Sequence, residues 1–327
     1  MTLPLPEFQI SRARDIEEAI AAKRSIDDSR FLAGGTDLIV NLRHGIGKPQ
    51  LLVDLSAIEE MRAVTLTSEG ARIGACVTIA QIAAFMRESY RGISEAAESV
   101  AGPGIRTAAT LGGNLCLDTR CIYYNQSEWW RHANKYCLKH DGQTCHVAPQ
   151  GQRCHAAFSG DIAPALMVLG AEVEIAGAEG RRRIPLADLY AEDGRAHLTL
   201  GRDELLIAVQ LPANPPPSTY AKVRARGAID FPLAGVAVSL AIENQRLIDF
   251  RVALTGTNPR PFLLQGTDAL SGRLLDSDVF DQIDKLIQKQ VQPMRTTTAS
   301  AHYRRLAAAA LARRLTQRLF AEAGGGT

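Results

Sequence analysis

The sequence predicts a protein of mixed helices and strands divided into more than one unit, and three observations predict it. Its 327 residues exceed one small domain and suit two or three at about 150 residues each. Short helical and strand patterns alternate through the first third. After a proline-rich stretch, strands come first and helices last.

The elements follow in order. Asp15 to Lys23 carries Ile16, Ala19 and Ile20 on one helix face. Arg30 to Leu32 is a short strand ending at Gly34-Gly35, and Thr36 or Asp37 is placed to cap a helix through Leu38, Ile39 and Leu42 to Gly45. Leu51 to Leu55 and Ala71 to Ala75 read as buried strands. Thr78 can cap an amphipathic helix through Ile79, Ile82, Ala83 and Met86. Ile93 to Val100 is helical, and Gly102 and Gly104 stop it. Residues 116 to 158 break this rhythm, with neither a period of two nor one of 3.6. A structureless loop of that length is unusual inside a compact domain and is usually functional or disordered. The aromatic residues argue against disorder.

Regular patterns then resume, with a helix from Ile162 to Leu169 and strands from Ala171 to Ile175 and Glu204 to Leu211. The stretch Leu211-Pro-Ala-Asn-Pro-Pro-Pro-Ser218 is the clearest linker. Beyond it come strands at Tyr220 to Ala225, Val236 to Ile242 and Leu247 to Leu254, with a hairpin turn at Glu243 to Arg246. Helices follow at Val279 to Val291 and from about residue 299 to 323. Leu311, Leu315 and Leu319 share a face of the last helix. Arg313, Arg314 and Arg318 lie elsewhere and read as a solvated face. The tail Gly-Gly-Gly-Thr is expected to be disordered.

Composition narrows the function. Hydrophobic residues make up 46% and charged residues 22%, which excludes wholesale disorder, collagen and coiled coil. No apolar run approaches the ~18 residues that span a bilayer. The N-terminus, MTLPLPEFQISRARD, has no basic region followed by an apolar one, so no signal peptide and no membrane partner are expected, and the location is expected to be cytoplasmic. A net charge of +2, from 37 basic and 35 acidic side chains, argues against a nucleic-acid partner.

Three motifs carry chemistry. In Phe31-Leu-Ala-Gly-Gly-Thr-Asp-Leu38, small residues between a strand and a helix let backbone N–H groups approach an anion such as a pyrophosphate. In Gly102-Pro-Gly-Ile-Arg-Thr-Ala-Ala-Thr-Leu-Gly-Gly-Asn114, clustered small residues imply a backbone packed against something, but the dinucleotide fingerprint fails at position 107. The third is Cys121-x15-Cys137-x7-Cys145-x8-Cys154. Five of the six cysteines fall between 116 and 154, beside His132, His140, His146, His155 and both tryptophans, Trp129 and Trp130. Disulfides are disfavoured in a reduced compartment. Four thiolates on one segment can close around zinc or a four-iron cluster, and spacing alone leaves cluster, zinc and unbound thiols open. No nucleophile elbow, zinc-protease helix or carboxylate pair occurs, so no catalytic residue is assigned.

Four segments taken together carry a resemblance. They are Ala33-Gly-Gly-Thr-Asp37, Ala108-Ala-Thr-Leu-Gly-Gly-Asn114, Ser159-Gly-Asp-Ile-Ala-Pro164, and Lys222-Val-Arg-Ala-Arg226 followed by Phe231-Pro-Leu-Ala-Gly-Val236. In this order they resemble the FAD-binding medium subunits of the xanthine oxidase family of molybdenum hydroxylases, over nearly the whole chain. In that family the segment between the second and third motifs is short, whereas here 46 residues separate Asn114 from Asp161. The extra segment, with Thr119-Arg-Cys-Ile-Tyr-Tyr-Asn-Gln-Ser-Glu-Trp-Trp-Arg131, resembles the insertion of one branch, the beta subunits of 4-hydroxybenzoyl-CoA reductases, which holds a [4Fe-4S] cluster.

The resemblance implies an α+β fold. Two subdomains of the p-cresol methylhydroxylase type, 1–55 and 56–214 with the insertion at about 116–158, hold FAD. A C-terminal domain, 215–327, adds a three-stranded antiparallel sheet and helices. It implies FAD contacts from Phe31, Leu32, Ala33, Gly34, Gly35, Thr36, Asp37 and Leu38, from Thr110, Gly113 and Asn114, and from Asp161 and Lys222, with Ala101 and Leu205 as weaker matches. It implies Cys121, Cys137, Cys145 and Cys154 as cluster ligands and leaves out Cys116 and Cys76. The implied enzyme is a dimer of heterotrimers, with molybdenum cofactor on a large subunit and [2Fe-2S] clusters on a small one. The implied reaction reduces 4-hydroxybenzoyl-CoA to benzoyl-CoA in anaerobic aromatic degradation, with reduced ferredoxin as donor. The electron path is then ferredoxin, [4Fe-4S], FAD, the [2Fe-2S] pair and molybdenum. Arg120, Arg131, Lys135, Lys139 and Arg153 against Asp118, Glu128 and Asp141 give the insertion a slight basic bias suited to an acidic ferredoxin. The alternatives are a subunit serving another aromatic or CoA-thioester substrate in the oxidising direction, a stand-alone NAD(P)H flavin reductase, and a zinc-stabilised module without enzymatic activity.

Overall fold

The computed structural model describes residues 4–324; the expected disorder of the last three residues lies outside this range. Three sheets follow one another along the chain. The first is built by β1 (Gln9–Arg12), α1 (Ile16–Ser25), β2 (Ser29–Leu32), α2 (Leu38–Arg43) and β3 (Leu51–Asp54). Its strands are parallel in the order β1-β3-β2. The central strand, β3, is buried at every residue, as its unbroken Leu-Leu-Val run requires. Asp15 caps α1 by accepting from the Glu18 amide at 2.7 Å.

The second sheet receives β4 (Val64–Thr67) and β5 (Gly70–Gly74) before a run of helices. These are α3 (Ile79–Phe85), α4 (Arg91–Ser99), α5 (Pro103–Arg106), α6 (Leu111–Leu115), α7 (Glu128–Ala133) and α8 (Ile162–Met167). Then come β6 (Glu172–Gly177), β7 (Gly180–Pro185) and β8 (Leu205–Pro212), giving the antiparallel order β4-β5-β8-β6-β7. Thr78 caps α3 in a reciprocal box with Gln81. The edge strand β7 carries Arg181, Arg182 and Arg183, charges that discourage edge-to-edge pairing.

The third sheet has β9 (Ser218–Val223), β10 (Ala234–Glu243), β11 (Arg246–Thr255) and β12 (Phe262–Leu263), in the order β12-β11-β10-β9. The three long strands are those expected, and β12 adds a two-residue edge. Helices α9 (Ser277–Gln290) and α10 (Ala301–Glu322) cover one face.

Two apolar cores hold these layers. The first joins the N-terminal and middle sheets, with Ile16 and Val53 in the same cluster as Ile73, Leu111, Ile162 and Val209. The second packs Val236, Val238 and Leu240 of β10 against α9 and α10, where Leu311, Leu315 and Leu319 are buried together as expected. Alternation along β10 turns Ala237 to the opposite side, into the first core. The C-terminal sheet is therefore buried on both faces and locks onto the middle layer. No helix among the described residues is long and apolar enough to cross a membrane.

Candidate functional site

The first two glycine segments meet backbone to backbone. A Cβ on Gly34 would stand 1.8 Å from the Ala108 carbonyl oxygen, so only glycine allows this approach. Gly35 follows in the left-handed region at φ +69. The turn from Phe31 to Leu38 stays partly open to solvent, with Thr36 exposed. In the second segment Thr110 caps α6 by accepting from the Gly113 amide at 3.2 Å, and Gly113 is exposed. Asn114 is buried and accepts from the Ile162 amide at 3.1 Å, which ties the second motif to the third.

Asp161 in the third motif does not cap α8. Its carboxylate accepts from the Tyr220 hydroxyl at 2.6 Å and from Lys222 Nζ at 2.9 Å. Both charged side chains are nearly sealed, 4% and 3% exposed, so the pair is satisfied internally. Burial raises the Asp161 carboxyl, against the pull of the Lys222 ammonium. Lys222 also donates to the Asp230 carbonyl at 2.9 Å. The third motif is thereby joined to the fourth. Ala101 takes a positive φ of 43, and its carbonyl accepts from the Ile229 amide at 3.2 Å. Leu205 is a core side chain on β8 opposite Ala176.

Cys121, Cys137, Cys145 and Cys154 are all buried and line one pocket, with Tyr123, Tyr124, Lys139, His146 and Ala156 around them. Three of the four pack with Tyr124 and Ala156 as a small apolar cluster of their own. All six cysteines are free thiols. Burial pushes Cys121 up to about 11 and Cys154 up to about 12, and the neighbouring Cys145 adds to both shifts. Among the described residues, no three His, Cys, Asp or Glu side chains come together as ligands of a single metal ion. Cys116 and Cys76 take no part in this pocket.

A family model described as the FAD binding domain in molybdopterin dehydrogenase matches residues 6–214. A second, the CO dehydrogenase flavoprotein C-terminal domain, matches residues 218–319. The chain is a medium, FAD-binding subunit of the xanthine oxidase family of molybdenum hydroxylases. It is 32% identical to the aldehyde oxidoreductase FAD-binding subunit of Escherichia coli K12 over 277 residues, covering 80% of this chain and 85% of that one. It is 26% identical to the carbon monoxide dehydrogenase medium chain of Afipia carboxidovorans, covering 97% and 98%. The fold is that of CO dehydrogenase from Oligotropha carboxidovorans, with a TM-score of 0.80 at 24% identity over 98% of this chain and 99% of that one. The residues fit the cofactor that the family model names. Gly34, Gly35 and Gly113 leave bare backbone on a partly open surface, and the clash a Cβ would make at Gly34 fixes how closely the two turns meet.

Within this medium subunit the basic residues of the insertion behave differently from the expected surface bias. Arg131 is 1% exposed and donates to the His44 carbonyl at 2.9 Å, the Gly45 carbonyl at 3.1 Å and Glu128 Oε2 at 2.6 Å. The Lys139 side chain is 5% exposed, donates to Asp118 at 2.6 Å and lies 4.3 Å from the centre of the Tyr124 ring. Neutralising Lys139 would therefore disturb the cysteine pocket rather than a docking surface. Lys135 is exposed, and Arg153 is drawn to Glu192 at 3.1 Å. In the sequence these residues show only as charges. Long-range partners, such as the carbonyls at 44 and 45 for Arg131, leave no local pattern. The one available signal was charge inside an otherwise cysteine-rich and aromatic run.

Proposed function

We propose that this chain is the flavin and [4Fe-4S] subunit of a cytoplasmic molybdenum enzyme of the 4-hydroxybenzoyl-CoA reductase type, working with a large molybdenum subunit and a small [2Fe-2S] subunit as a dimer of heterotrimers. The observation that carries the reading is the convergence of four buried cysteines from an insertion unusual for the family. Four thiolates on one segment can close around either zinc or a four-iron cluster, and the likeness of the insertion to that of the reductase branch favours the cluster. When bound, the cluster and FAD together supply one-electron uptake and two-electron storage, which suits ferredoxin as donor to a two-electron reduction.

The chain's own residues do the holding. Phe31 to Leu38, Thr110, Gly113 and Asn114 would line FAD. Ala101, Asp161 and Lys222 would hold the surrounding segments, and Leu205 would contribute packing. Cys121, Cys137, Cys145 and Cys154 would be the cluster ligands, in a pocket closed by Tyr124 and Lys139.

A second reading of the substrate rests on the aldehyde oxidoreductase relative and has the complex oxidising an aldehyde instead. Anaerobic purification of the native complex tests the cofactors first. About eight iron, one FAD and one molybdenum per copy would match two [2Fe-2S] clusters and one [4Fe-4S] cluster. About four iron and one zinc would overturn the cluster. Turnover then separates the substrates. Benzoyl-CoA formed from 4-hydroxybenzoyl-CoA with reduced ferredoxin supports the reductase, and acid formed from an aromatic aldehyde with an electron acceptor supports the second reading.

A further inference from the structure

Arg120 stands where the cysteine insertion meets the flavin segments. Its backbone closes the insertion like a neck: its amide donates to the Ala157 carbonyl at 2.7 Å, and the Ala157 amide donates back at 2.8 Å. Cys121 follows it directly, and Cys154 lies three residues before Ala157. The side chain runs the other way. It forms an ion pair with Asp37 of the first glycine motif and donates to Asn41 Oδ1 at 3.2 Å. Asn41 in turn donates to the other Asp37 oxygen at 3.1 Å, so three side chains close a ring of polar contacts on α2. This explains why Asp37, placed to cap α2, makes no cap bond. The guanidinium also lies 4.7 Å from the centre of the Phe231 ring, at the start of the fourth motif's second half. Its Nε is buried without a partner.

The four motifs are linked first to second, second to third and third to fourth by the contacts described above. Arg120 joins the fourth back to the first, and it is the insertion that supplies it. We infer that Arg120 is a positioning residue for FAD, through which closure of the cysteine insertion holds the turn from Gly34 to Asp37 in its binding form. The inference rests on the cluster reading for one consequence, that cluster occupancy and FAD affinity are coupled. Such coupling is reciprocal by linkage.

The test uses the assembled complex, with FAD removed and rebound, and reads FAD affinity, the visible circular dichroism of the bound flavin, and iron per copy. The variants are Arg120→Gln, Arg120→Lys, Cys154→Ser and the Arg120→Gln/Cys154→Ser double. Arg120→Gln should weaken FAD about tenfold or more, because it removes a charge-assisted contact to Asp37. It should also change the flavin dichroism and leave iron in place. Arg120→Lys should recover part of the affinity, and it decides the matter if the glutamine variant does not assemble. Cys154→Ser should weaken FAD in the parent and add little in the double variant. The proposal falls if Arg120→Gln leaves FAD affinity within about twofold, or if Cys154→Ser costs the same with and without Arg120. If the parent complex lacks the extra four iron, the cluster reading fails by that assay alone. The weakening by Arg120→Gln would then still report on the positioning role.

Discussion

The flavin segments and the cysteine insertion lie side by side but are built by opposite means. The flavin segments are made of backbone: Gly34 against Ala108, and Gly112 where a Cβ would stand 2.9 Å from the Ala75 side chain. The insertion has one short helix, α7, and is held by side chains that cross into other layers. Arg131 reaches the end of α2 and Arg120 reaches Asp37 at its start, while Lys139 pairs with Asp118 inside the insertion itself. A surface shaped by backbone fails when anything is added to it. A loop shaped by buried cations fails when something is removed.

The largest test of this contrast is Gly34→Ala. The added carbon overlaps a carbonyl on a rigid segment, and we expect a loss of at least about 4 kcal/mol, with FAD lost from whatever protein still folds. Thermal melting and flavin content check it. Gly104→Ala serves as the internal control, since its Cβ would meet nothing within 4 Å, and it should change stability by about 1 kcal/mol or less.

Removing a cation should break the other region. Arg131→Met leaves the partly buried carbonyls of His44 and Gly45 without this donor and should destabilise the insertion by about 3 kcal/mol. Limited proteolysis should then cut between residues 116 and 158 first. FAD affinity should fall no further than it does in Arg120→Gln. A larger fall would mean that the two regions share more than the Arg120 contact.

A pH test sharpens the boundary between them. His197 is buried against Phe158, at 6.1 Å between ring centres, and faces Lys139 and Asp118. Burial, helped by the Lys139 charge, lowers it to about 4 from an ordinary 6.5. The unfolded chain therefore binds the extra proton more readily. The stability that His197 contributes is present above pH 6.5 and is lost as pH falls towards 4, by up to about 3 kcal/mol. Melting between pH 7 and pH 5 should fall more steeply in the parent than in His197→Gln. Equal slopes would show that His197 takes up its proton as readily in the folded protein as in the unfolded chain.

Much of the fold was legible because it is written locally. The Leu51 run named a buried strand, Thr78 named a helix start, and the leucines at 311, 315 and 319 named a buried face. The strands missed were edges: β1 and β7 are exposed and charged or polar, β4 alternates over only four residues, Val-Thr-Leu-Thr, and β12 is only two residues long. The cysteine segment could be recognised as unusual but not folded on paper, since it has no periodicity and its anchors lie as far along the chain as Thr296, which accepts from the Ile122 amide.

The sequence by itself determined the layers, the four ordered motifs and the set of thiols that could act together. Each rests on residue type or on spacing along the chain, which the linear text contains. Only the tertiary structure decided that Asp161 is spent on Lys222 and Tyr220, that Lys139 and Arg131 are interior cations, and that Arg120 closes the ring of motifs. Burial and partnership of a charge depend on what the rest of the chain brings to it, and desolvation gives no local mark in the residues that suffer it.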